Sequence, residues 1–428
     1  MKMNLMKKTR LTLVSFILSL LLVNALRANH IFVPMDETQT NHLKAYGITY
    51  WILEQGEQAE WLLNYRGGSF LFEYRQEYEN ELIIRNISYQ VISTADVVSI
   101  KNVIASPEAN MDVMKLERAP RIAVYSPPSK MPWDDAVTMV LTYAEIPYDV
   151  IFDDEVMYNK LPEYDWLHLH HEDFTGQYGK FYRAYGRKKW YKDNQKKFEE
   201  SAAKHGFSKV SQLKLSVVHQ IRDYVLGGGF LFAMCSATDT YDIALAAEGV
   251  DICDHMYDGD PADPKAQDKL DYNKTFAFKD FKLFMNPYVY EYANIDNQMG
   301  ERKLTEQNDF FRLFQFSAKW DPIPTMLTQN HLRVIKGFMG QTTGFKKNLI
   351  KPDVIVMGEN KDINEARYIH GTYGKGTWTF YGGHDPEDYQ HFVEEEPTDL
   401  NLHPNSAGYR LILNNILFPA AKKKKQKT

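Results

Sequence analysis

The sequence has few cysteines and little net charge, and each shortage excludes a class of protein. Among 428 residues only Cys235 and Cys253 are cysteines, so the chain is not a disulfide scaffold, although an oxidising compartment would permit one bridge between them. A net charge of −6 gives no indication of a nucleic-acid partner. The one basic run lies within residues 421–428, which we interpret as a solvated tail.

The chain also lacks a long apolar run beyond residue 30. Before that point, four cationic side chains among the first ten residues precede LTLVSFILSLLLV, thirteen residues without a charge. This run is short for a bilayer span and has the flanks of a secretory signal peptide. We therefore expect residues 1–28 to be cleaved, the protein to be periplasmic or extracellular, and no membrane association to remain. An uncleaved membrane anchor is the alternative.

Residues 30–118 predict a small β-rich or mixed domain. The segments ITYWILEQ, AEWLLNYRGGSFLFEY and YQVIST are rich in β-branched and aromatic residues, and glycines and polar turns separate them. This stretch contains no cluster of catalytic residue types. We therefore expect the chemistry of the protein to lie in the remainder of the chain.

From Pro120 onward the pattern changes to alternating strands and helices. Buried strands are predicted at 121–126, 148–152, 164–171, 229–235, 353–358, 366–371 and 376–384, and helices at 133–145, 211–226, 238–248 and 407–417. Ser211 is the predicted N-cap of its helix. This alternation predicts an α/β domain over 119–420 with a mostly parallel sheet and helices on both faces. Residues 174–205 and 254–330 are predicted insertions around the mouth of the site.

Three groups of reactive residues fall at predicted strand ends, where open parallel sheets form their sites. The first is Cys235, which ends GFLFAMC. On an abrupt strand-to-helix turn, nearby backbone N–H groups lower a thiol pKa and can hold an oxyanion. Ala233 and Ala237 supply the small neighbours that such a turn needs. The alternative is a buried structural cysteine.

The second group is FYGGHDPEDY, in which His384 follows two glycines. A general base needs an imidazole oriented by a carboxylate, and Asp385 or Glu387 would supply it. The alternative is a histidine that caps an ordinary Asp-Pro turn.

The third group is HLHHED, with His168, His170, His171, Glu172 and Asp173. His168 and His170 point to one face of a strand, whereas the next residues enter a loop. Imidazoles beside carboxylates suit Zn²⁺ or a similar ion. The adjacency of these residues favours the alternative, a hydrogen-bonded histidine ladder that shapes the pocket. We predict no other cofactor.

FLFAMCSA, YGGHDPE and the closing HPNSAGYRLILNNILF together resemble the class I glutamine amidotransferase-like family, and the trehalose-utilisation-type branch has a similar ending. The resemblance covers about residues 120–420 and implies a flavodoxin-like sheet with a cysteine nucleophile and a histidine base. The sequence departs from the family pattern at the turn that carries Cys235, where Ala233 and Ala237 replace glycines. It also departs at the carboxylate, because Glu387 lies three residues from His384 rather than two.

The whole chain also resembles secreted bacterial proteins that are labelled asparagine synthetase B. The N-terminal cysteine and the SGG-x-DS pyrophosphate loop of such synthetases are absent. We expect a Cys/His-dependent hydrolase acting on an amide, ester or sugar-derived substrate, so its partner would be a small molecule or a glycan. The alternatives are a non-catalytic binding or scaffold protein of the cell envelope and, as the label says, a glutamine-hydrolysing asparagine synthetase.

Overall fold

The computed structural model describes residues 28–128, 134–297 and 301–422, which form two compact units. The N-terminal unit contains residues 28–119, 316–331 and 420–422, and the second unit contains 120–315 and 332–419. The predicted signal peptide lies outside the described residues, apart from its last position, and so does most of the basic tail. Within the described part of the chain, no helix is long and apolar enough to cross a membrane.

The N-terminal unit contains a five-stranded antiparallel sheet in the order β4-β1-β3-β2-β5. The strands are β1 (Ala28–Val33), β2 (Ala59–Leu63), β3 (Ser69–Glu73), β4 (Gln90–Ser93) and β5 (Asp112–Leu116), and the first helices of the chain are α1 (His42–Glu54), α2 (Gln76–Ile84) and α3 (Thr94–Ala105). The prediction of a small β-rich domain is confirmed.

One predicted strand of this unit is wrong, because ITYWILEQ lies in helix α1. The helix begins after Asn41, whose side chain accepts the N–H of Lys44 at 2.9 Å. Most of its residues are buried, including the β-branched Ile48 and Thr49. Burial and capping therefore override the strand preference of the segment.

The second unit contains a ten-stranded mixed sheet. Its strands are β6 (Ile122–Tyr125), β7 (Asp149–Ile151), β8 (Trp166–Leu169), β9 (Phe230–Met234), β10 (Phe310–Leu313), β11 (Val334–Lys336), β12 (Phe345–Lys346), β13 (Ile355–Asn360), β14 (Glu365–Tyr373) and β15 (Gly376–Tyr381). The remaining helices are α4 (Ala136–Ala144), α5 (Asp153–Met157), α6 (Tyr182–Tyr185), α7 (Lys189–Lys204), α8 (Val210–Gly227), α9 (Ala237–Ala246), α10 (His255–Asp258), α11 (Pro322–Leu327), which belongs to the N-terminal unit, and α12 (Ala407–Leu417).

The strand order is β11-β10-β13-β14-β15-β9-β8-β6-β7, and β12 pairs with β14. The strands from β15 to β7 are parallel. Those from β11 to β15 are antiparallel. The α/β class with parallel strands is thus confirmed, and an antiparallel half extends the sheet. Because β9 lies between β8 and β15, the carboxyl ends of these three strands meet at one edge.

Helices cover both faces of this sheet, as predicted. On one face, Ala123 and Tyr125 of β6 share a buried cluster with Val217 and Ile221 of α8. On the other face, α12 contacts β14, where Asn415 Nδ2 donates to the hydroxyl of Tyr368 at 2.6 Å. Alternate residues of each strand therefore serve two separate cores.

The start of α8 differs from its prediction. The helix begins at Val210 after Lys209, so Ser211 lies inside it and is not its N-cap. The predicted insertion 174–205 contains α6 and α7. Within 254–330, the residues Phe316–His331 pack with the N-terminal unit.

A buried ion pair joins α8 to the sheet and gives a stability prediction. Lys214 Nζ lies 2.9 Å from Asp153 Oδ1 and 2.9 Å from the hydroxyl of Tyr125, and all three residues are almost completely buried. We expect Lys214→Met to lower the free energy of unfolding by about 3–5 kcal/mol, because it leaves a buried carboxylate unpaired. Denaturant unfolding measures the change.

The control is Lys204→Met, which removes an exposed ion pair with Asp154, the residue that follows Asp153 in α5. We expect its unfolding midpoint to match that of the wild type. Equal losses in both variants would contradict the assignment of Lys214 as a structural partner.

Candidate functional site

Cys235 occupies the turn between β9 and α9. Its φ of 49° lies in the left-handed region, which side chains other than glycine rarely adopt. The turn is fixed because the N–H of Ala237 donates to His170 O at 2.9 Å, while Thr238 Oγ1 donates to Cys235 O at 2.7 Å. A strained residue between a strand and a helix has the form of a nucleophile elbow.

The sulfur of Cys235 is surrounded by backbone donors. The N–H of Gln341 donates to Sγ at 3.3 Å. Burial raises the pKa of this thiol, and the backbone N–H groups of Gln341, Thr342 and Ser236 offset only part of that effect. The sulfur is therefore a thiol in the resting protein, in a position where developing negative charge meets N–H groups.

The cysteines are not bridged. Cys235 and Cys253 are both free and buried, and Cys253 Sγ donates to Thr175 O at 3.2 Å. The disulfide that the sequence left open is therefore not formed in this structure.

His384 follows β15, the strand next to β9. Tyr381 lies opposite Met234 in the parallel pairing, so the two strands end at the same level. Gly383 has a φ of 108°, and a Cβ there would lie 2.3 Å from the Phe338 ring. Glycine at 383 is thus required for the chain to turn His384 back over the sheet edge.

The segment 338–343 forms hydrogen bonds with both His384 and Cys235. The N–H of His384 donates to Met339 O at 3.0 Å, and the N–H of Gly383 donates to Thr342 O at 2.9 Å. Gln341, in the same segment, provides the N–H that contacts the Cys235 sulfur. The backbone donor of the thiol and the imidazole are therefore held by the same short segment of chain.

A fully buried arginine supports this segment from β14. Arg367 donates to Phe338 O at 3.0 Å and to Thr343 O at 3.1 Å. Its other amino group makes two bonds of 2.8 Å to the Asp309 carboxylate. The two ends of the segment are thus held by one planar guanidinium.

The carboxylates that were predicted to orient His384 have other partners. Asp385 accepts the hydroxyls of Tyr409 at 2.8 Å and Thr398 at 2.7 Å. Glu387 lies 3.2 Å from Nδ1 of His403. The printed partners of Asp385 and Glu387 are therefore residues other than His384, and the predicted orienting role of these two carboxylates stays a prediction.

Asp134 and His391 lie beside His384 instead. His391 is held between Asp134 at 2.6 Å and Asp388 at 2.7 Å, and its ring stacks on His384 with centroids 5.1 Å apart. Hydrogen bonds to both carboxylates raise the pKa of His391 to about 9. By contrast, burial lowers the pKa of His384 to about 3, with the neighbouring His170 and His391 adding to the effect. A protonated ring thus lies against a neutral one.

Asp135 connects the predicted histidine cluster to α4. One carboxylate oxygen caps the helix by accepting the N–H groups of Val137 and Thr138 at 2.8 and 2.9 Å. The other lies 3.3 Å from Nε2 of His168 and 3.2 Å from Nδ1 of His170. The predicted ladder of histidines is thus anchored by a carboxylate that the sequence analysis did not name.

Three imidazoles converge at the end of β8. His170, His171 and His384 each offer a ring nitrogen within 4.8 Å of the others. No described residue hydrogen-bonds Nε2 of His170 or Nε2 of His384. Burial lowers the pKa of His171 well below its usual value, which favours its uncharged form. This arrangement is able to hold a divalent metal ion.

The two acidic residues of HLHHED lie apart from that point. Asp173 accepts the N–H of Gly179 at 2.9 Å and the N–H of Thr175 at 2.7 Å, and therefore shapes a turn. Burial raises the pKa of Glu172 to about 8. Glu172 lines a neighbouring recess together with Lys214 and Trp190.

An open cleft brings the thiol and the imidazoles together. It has about 670 Å³ of empty space, part of which is open to solvent. Its lining residues include Cys235, His171, His384 and His391, with an apolar wall formed by Phe181, Tyr290, Met339, Phe392 and Val393. The size suits a small molecule or the end of a larger one.

Sequence reasoning missed Asp134, Asp135, His391 and the segment 338–343. Three of these carried a signal. The Asp-Asp pair precedes a helical pattern, as an N-cap does, and GFMGQTTG is rich in residues that favour tight turns. His391 lies only seven residues after His384, but nothing in its spacing indicates a charged partner.

The strained backbone of Cys235 gives a second prediction. We expect Cys235→Gly to be more stable than Cys235→Ala by about 1 kcal/mol, since only glycine adopts a positive φ without cost. Thermal or denaturant unfolding measures the difference.

The matched control is the same pair of substitutions at Cys253, whose φ is not positive. There the alanine variant should be the more stable one. If alanine is also favoured at position 235, the proposed strain in the elbow is absent.

The buried Asp239, one turn into α9, gives a pH prediction. Burial raises its pKa to about 8, although Thr342 Oγ1 donates to it at 2.9 Å. From about pH 4 to about pH 8 the folded protein keeps a proton that the unfolded chain releases, so stability falls as the pH rises. Asp239→Asn removes this loss. We expect its stability relative to wild type to improve by about 1 kcal/mol or more over that range, since one pKa unit corresponds to about 1.4 kcal/mol.

Urea unfolding at several pH values tests this, with the surface substitution Asp223→Asn as the control for a lost charge. Parallel stability profiles for wild type and Asp239→Asn would show that Asp239 is ionised in the folded protein.

No protein-family model matches the chain, and no curated protein matches it. Among solved structures, it is similar to cytoplasmic protein STM3548 from Salmonella typhimurium, with 11% identity, a TM-score of 0.34 and coverage of 71% of this chain and 100% of that one. Cytoplasmic protein STM1381 from Salmonella typhimurium LT2 gives 12% identity, a TM-score of 0.33 and the same coverage. A GH42 beta-galactosidase from G. stearothermophilus gives 11% identity, a TM-score of 0.27 and coverage of 62% of this chain and 28% of that one. These distant likenesses assign neither an activity nor a substrate.

Proposed function

We propose that the protein is an amidotransferase-like hydrolase in which Cys235 attacks the carbonyl group of a small amide or ester. The observation that carries the proposal is the elbow: a cysteine with φ of 49° after a central strand, with backbone N–H groups at its sulfur. His384 enters the same cleft from the adjacent parallel strand. Strained backbone is retained where it aims a reactive group.

The proton transfers follow from the resting charges. The Cys235 thiol and the His384 imidazole are both neutral, because burial disfavours the charged form of each. Attack on the carbonyl carbon and transfer of the S–H proton to His384 therefore occur together, since a free thiolate would be costly at this site. The neighbouring Asp134 carboxylate favours the imidazolium that forms.

The reaction is then completed in two steps, the formation of an acyl-enzyme and its hydrolysis. The carbon–nitrogen or carbon–oxygen bond breaks, and the leaving group takes the proton from His384, which gives a thioester on Cys235. Water then hydrolyses the thioester and regenerates the thiol. The N–H of Ser236, directly after the nucleophile, is in the position of an oxyanion donor.

A binding or scaffold protein that retains the fold without turnover is the second candidate. The observation in its favour is that Asp385 and Glu387 are committed to Tyr409, Thr398 and His403. Without a directly bonded carboxylate, the imidazole is less firmly oriented. The same cleft would then bind its small molecule or glycan without cleaving it. We further propose that either activity takes place outside the cytoplasm, as the N-terminal sequence predicts.

Acylation of the thiol is the fourth prediction. With p-nitrophenyl acetate we expect a burst of p-nitrophenol of about one equivalent and an acetyl group on Cys235, as covalent catalysis requires. Cys235→Ser should lose the burst, and His384→Gln should slow it about 10²-fold or more, the usual contribution of a general base. Stopped-flow absorbance and peptide mass spectrometry provide the readouts.

Cys253→Ser is the matched control, because it removes the other buried thiol, which lies outside the cleft. It should keep the full burst. An acetyl group on Cys253, or no burst from folded wild-type protein, would leave the binding protein as the remaining candidate.

A further inference from the structure

We infer that His170, His171 and His384 form a binding site for one Zn²⁺-type divalent ion, in which a bound ion and the base function of His384 exclude each other. The binding stands on the geometry of the three rings alone. The exclusion rests on the proposed function, since it concerns the proton acceptor of Cys235.

The tautomer of His170 is the first argument. Asp135 is a carboxylate that caps α4 and lies 3.2 Å from Nδ1 of His170. A carboxylate only accepts hydrogen bonds, so a neutral His170 beside Asp135 is favoured with its proton on Nδ1 and its lone pair on Nε2. An imidazole whose N–H donates to a carboxylate is the usual arrangement of a zinc ligand.

The second argument is the lack of donors where the lone pairs meet. Nε2 of His170 and Nε2 of His384 are buried and have no hydrogen-bond partner among the described residues. Unpaired acceptors that face one another in a buried space are costly unless a cation or a donor lies between them.

The third argument is the fit of the ligand set. One nitrogen from each of the three rings lies within 4.8 Å of the other two. With Zn–N bonds of about 2.1 Å, nitrogens around a tetrahedral ion are separated by about 3.4 Å, so small side-chain rotations complete the site. His171 and His384 line the cleft, which leaves a fourth position for water or a ligand.

Two other clusters of metal-binding residue types are already satisfied. In the cluster of Asp251, Cys253 and Asp258, the ammonium group of Lys209 lies 2.6 Å from Asp251 and 3.0 Å from Asp258. In the cluster of Asp135 with His168 and His170, the carboxylate already caps α4. In the cluster of the three imidazoles, Nε2 of His170 and Nε2 of His384 have no hydrogen-bond partner among the described residues.

A bound ion would change the chemistry of the cleft. Coordination uses the lone pair of His384, so this ring can no longer take the proton of Cys235. The metal-loaded protein would therefore lack the base that the thiol requires, and removal of the ion would restore it. Free Zn²⁺ would thus act as a reversible inhibitor of acylation.

The fifth prediction concerns metal binding itself. Full-length protein freed of metal with a chelator is titrated with Co²⁺, and Zn²⁺ is then added in competition with a chromophoric chelator. We expect one equivalent to bind, with the visible absorption of four-coordinate Co²⁺. His170→Gln and His171→Gln should each weaken Zn²⁺ binding about tenfold or more, at least the effect of losing an outer partner of a ligand.

His255→Gln is the control, since it removes an exposed imidazole from the same unit, and Cys235→Ser tests whether the thiol is a ligand. Both should bind Zn²⁺ like wild type. X-ray absorption of Zn²⁺-loaded wild-type protein, which needs no variant, should show three imidazole nitrogens. Absence of binding, a different ligand set, or equal affinity in the folded His170→Gln and His171→Gln proteins would overturn the inference.

The two proposals fail separately. If Zn²⁺ binds at the three histidines but no acyl adduct forms on Cys235, the metal site stands and the hydrolase is rejected. If acylation proceeds and is unaffected by Zn²⁺ that is shown to be bound at these histidines, the mutual exclusion is rejected. If acylation proceeds and no metal binds, the metal site alone is rejected.

Discussion

The parallel pairing of β15, β9 and β8 is the constraint on which the site depends. Tyr381 lies opposite Met234, and Ala233 lies opposite Leu169. The three strands therefore end together, and the next residues of each bring a thiol and two imidazoles to one edge. A register slip of one residue would turn every side chain of a strand to the opposite face. The chemistry is thus fixed by backbone hydrogen bonds in the centre of the sheet.

Burial sets the charge state of the site once the strands have placed it. Desolvation keeps Cys235, His171 and His384 neutral, whereas Asp134 and Asp135 have imidazole partners that stabilise their charge. Asp134 and Asp135 are not among the residues that line the cleft, whereas Cys235, His171, His384 and the charged His391 are. A substrate or an ion that enters the cleft therefore meets two neutral imidazoles and a thiol beside one imidazolium.

The sequence predicted the class of the second unit and the order of its strands and helices well, because apolar runs and glycine or proline breaks carry that information. It failed for α1, where burial on nearly all sides removed the helical pattern. It also found Cys235, His384 and His170 from their places at strand ends. It could not find the role of Gln341, whose backbone N–H contacts a sulfur 106 residues away, because a backbone contact leaves no trace in residue type. The sequence also could not predict the hydrogen-bond partners of Asp385, because they depend on the backbone path of the turn that follows His384.

The bonds from Arg367 to Asp309 and to both ends of the segment 338–343 have a consequence for how the site can vary. One guanidinium on β14 fixes the chain that carries the donor of the thiol and the backbone that holds His384. The backbone donor of the thiol and the backbone that holds His384 therefore move together, and a substitution of Arg367 would displace both. We therefore expect substitutions in the apolar wall of the cleft to be tolerated better than substitutions of Arg367, on which the positions of both reactive groups depend.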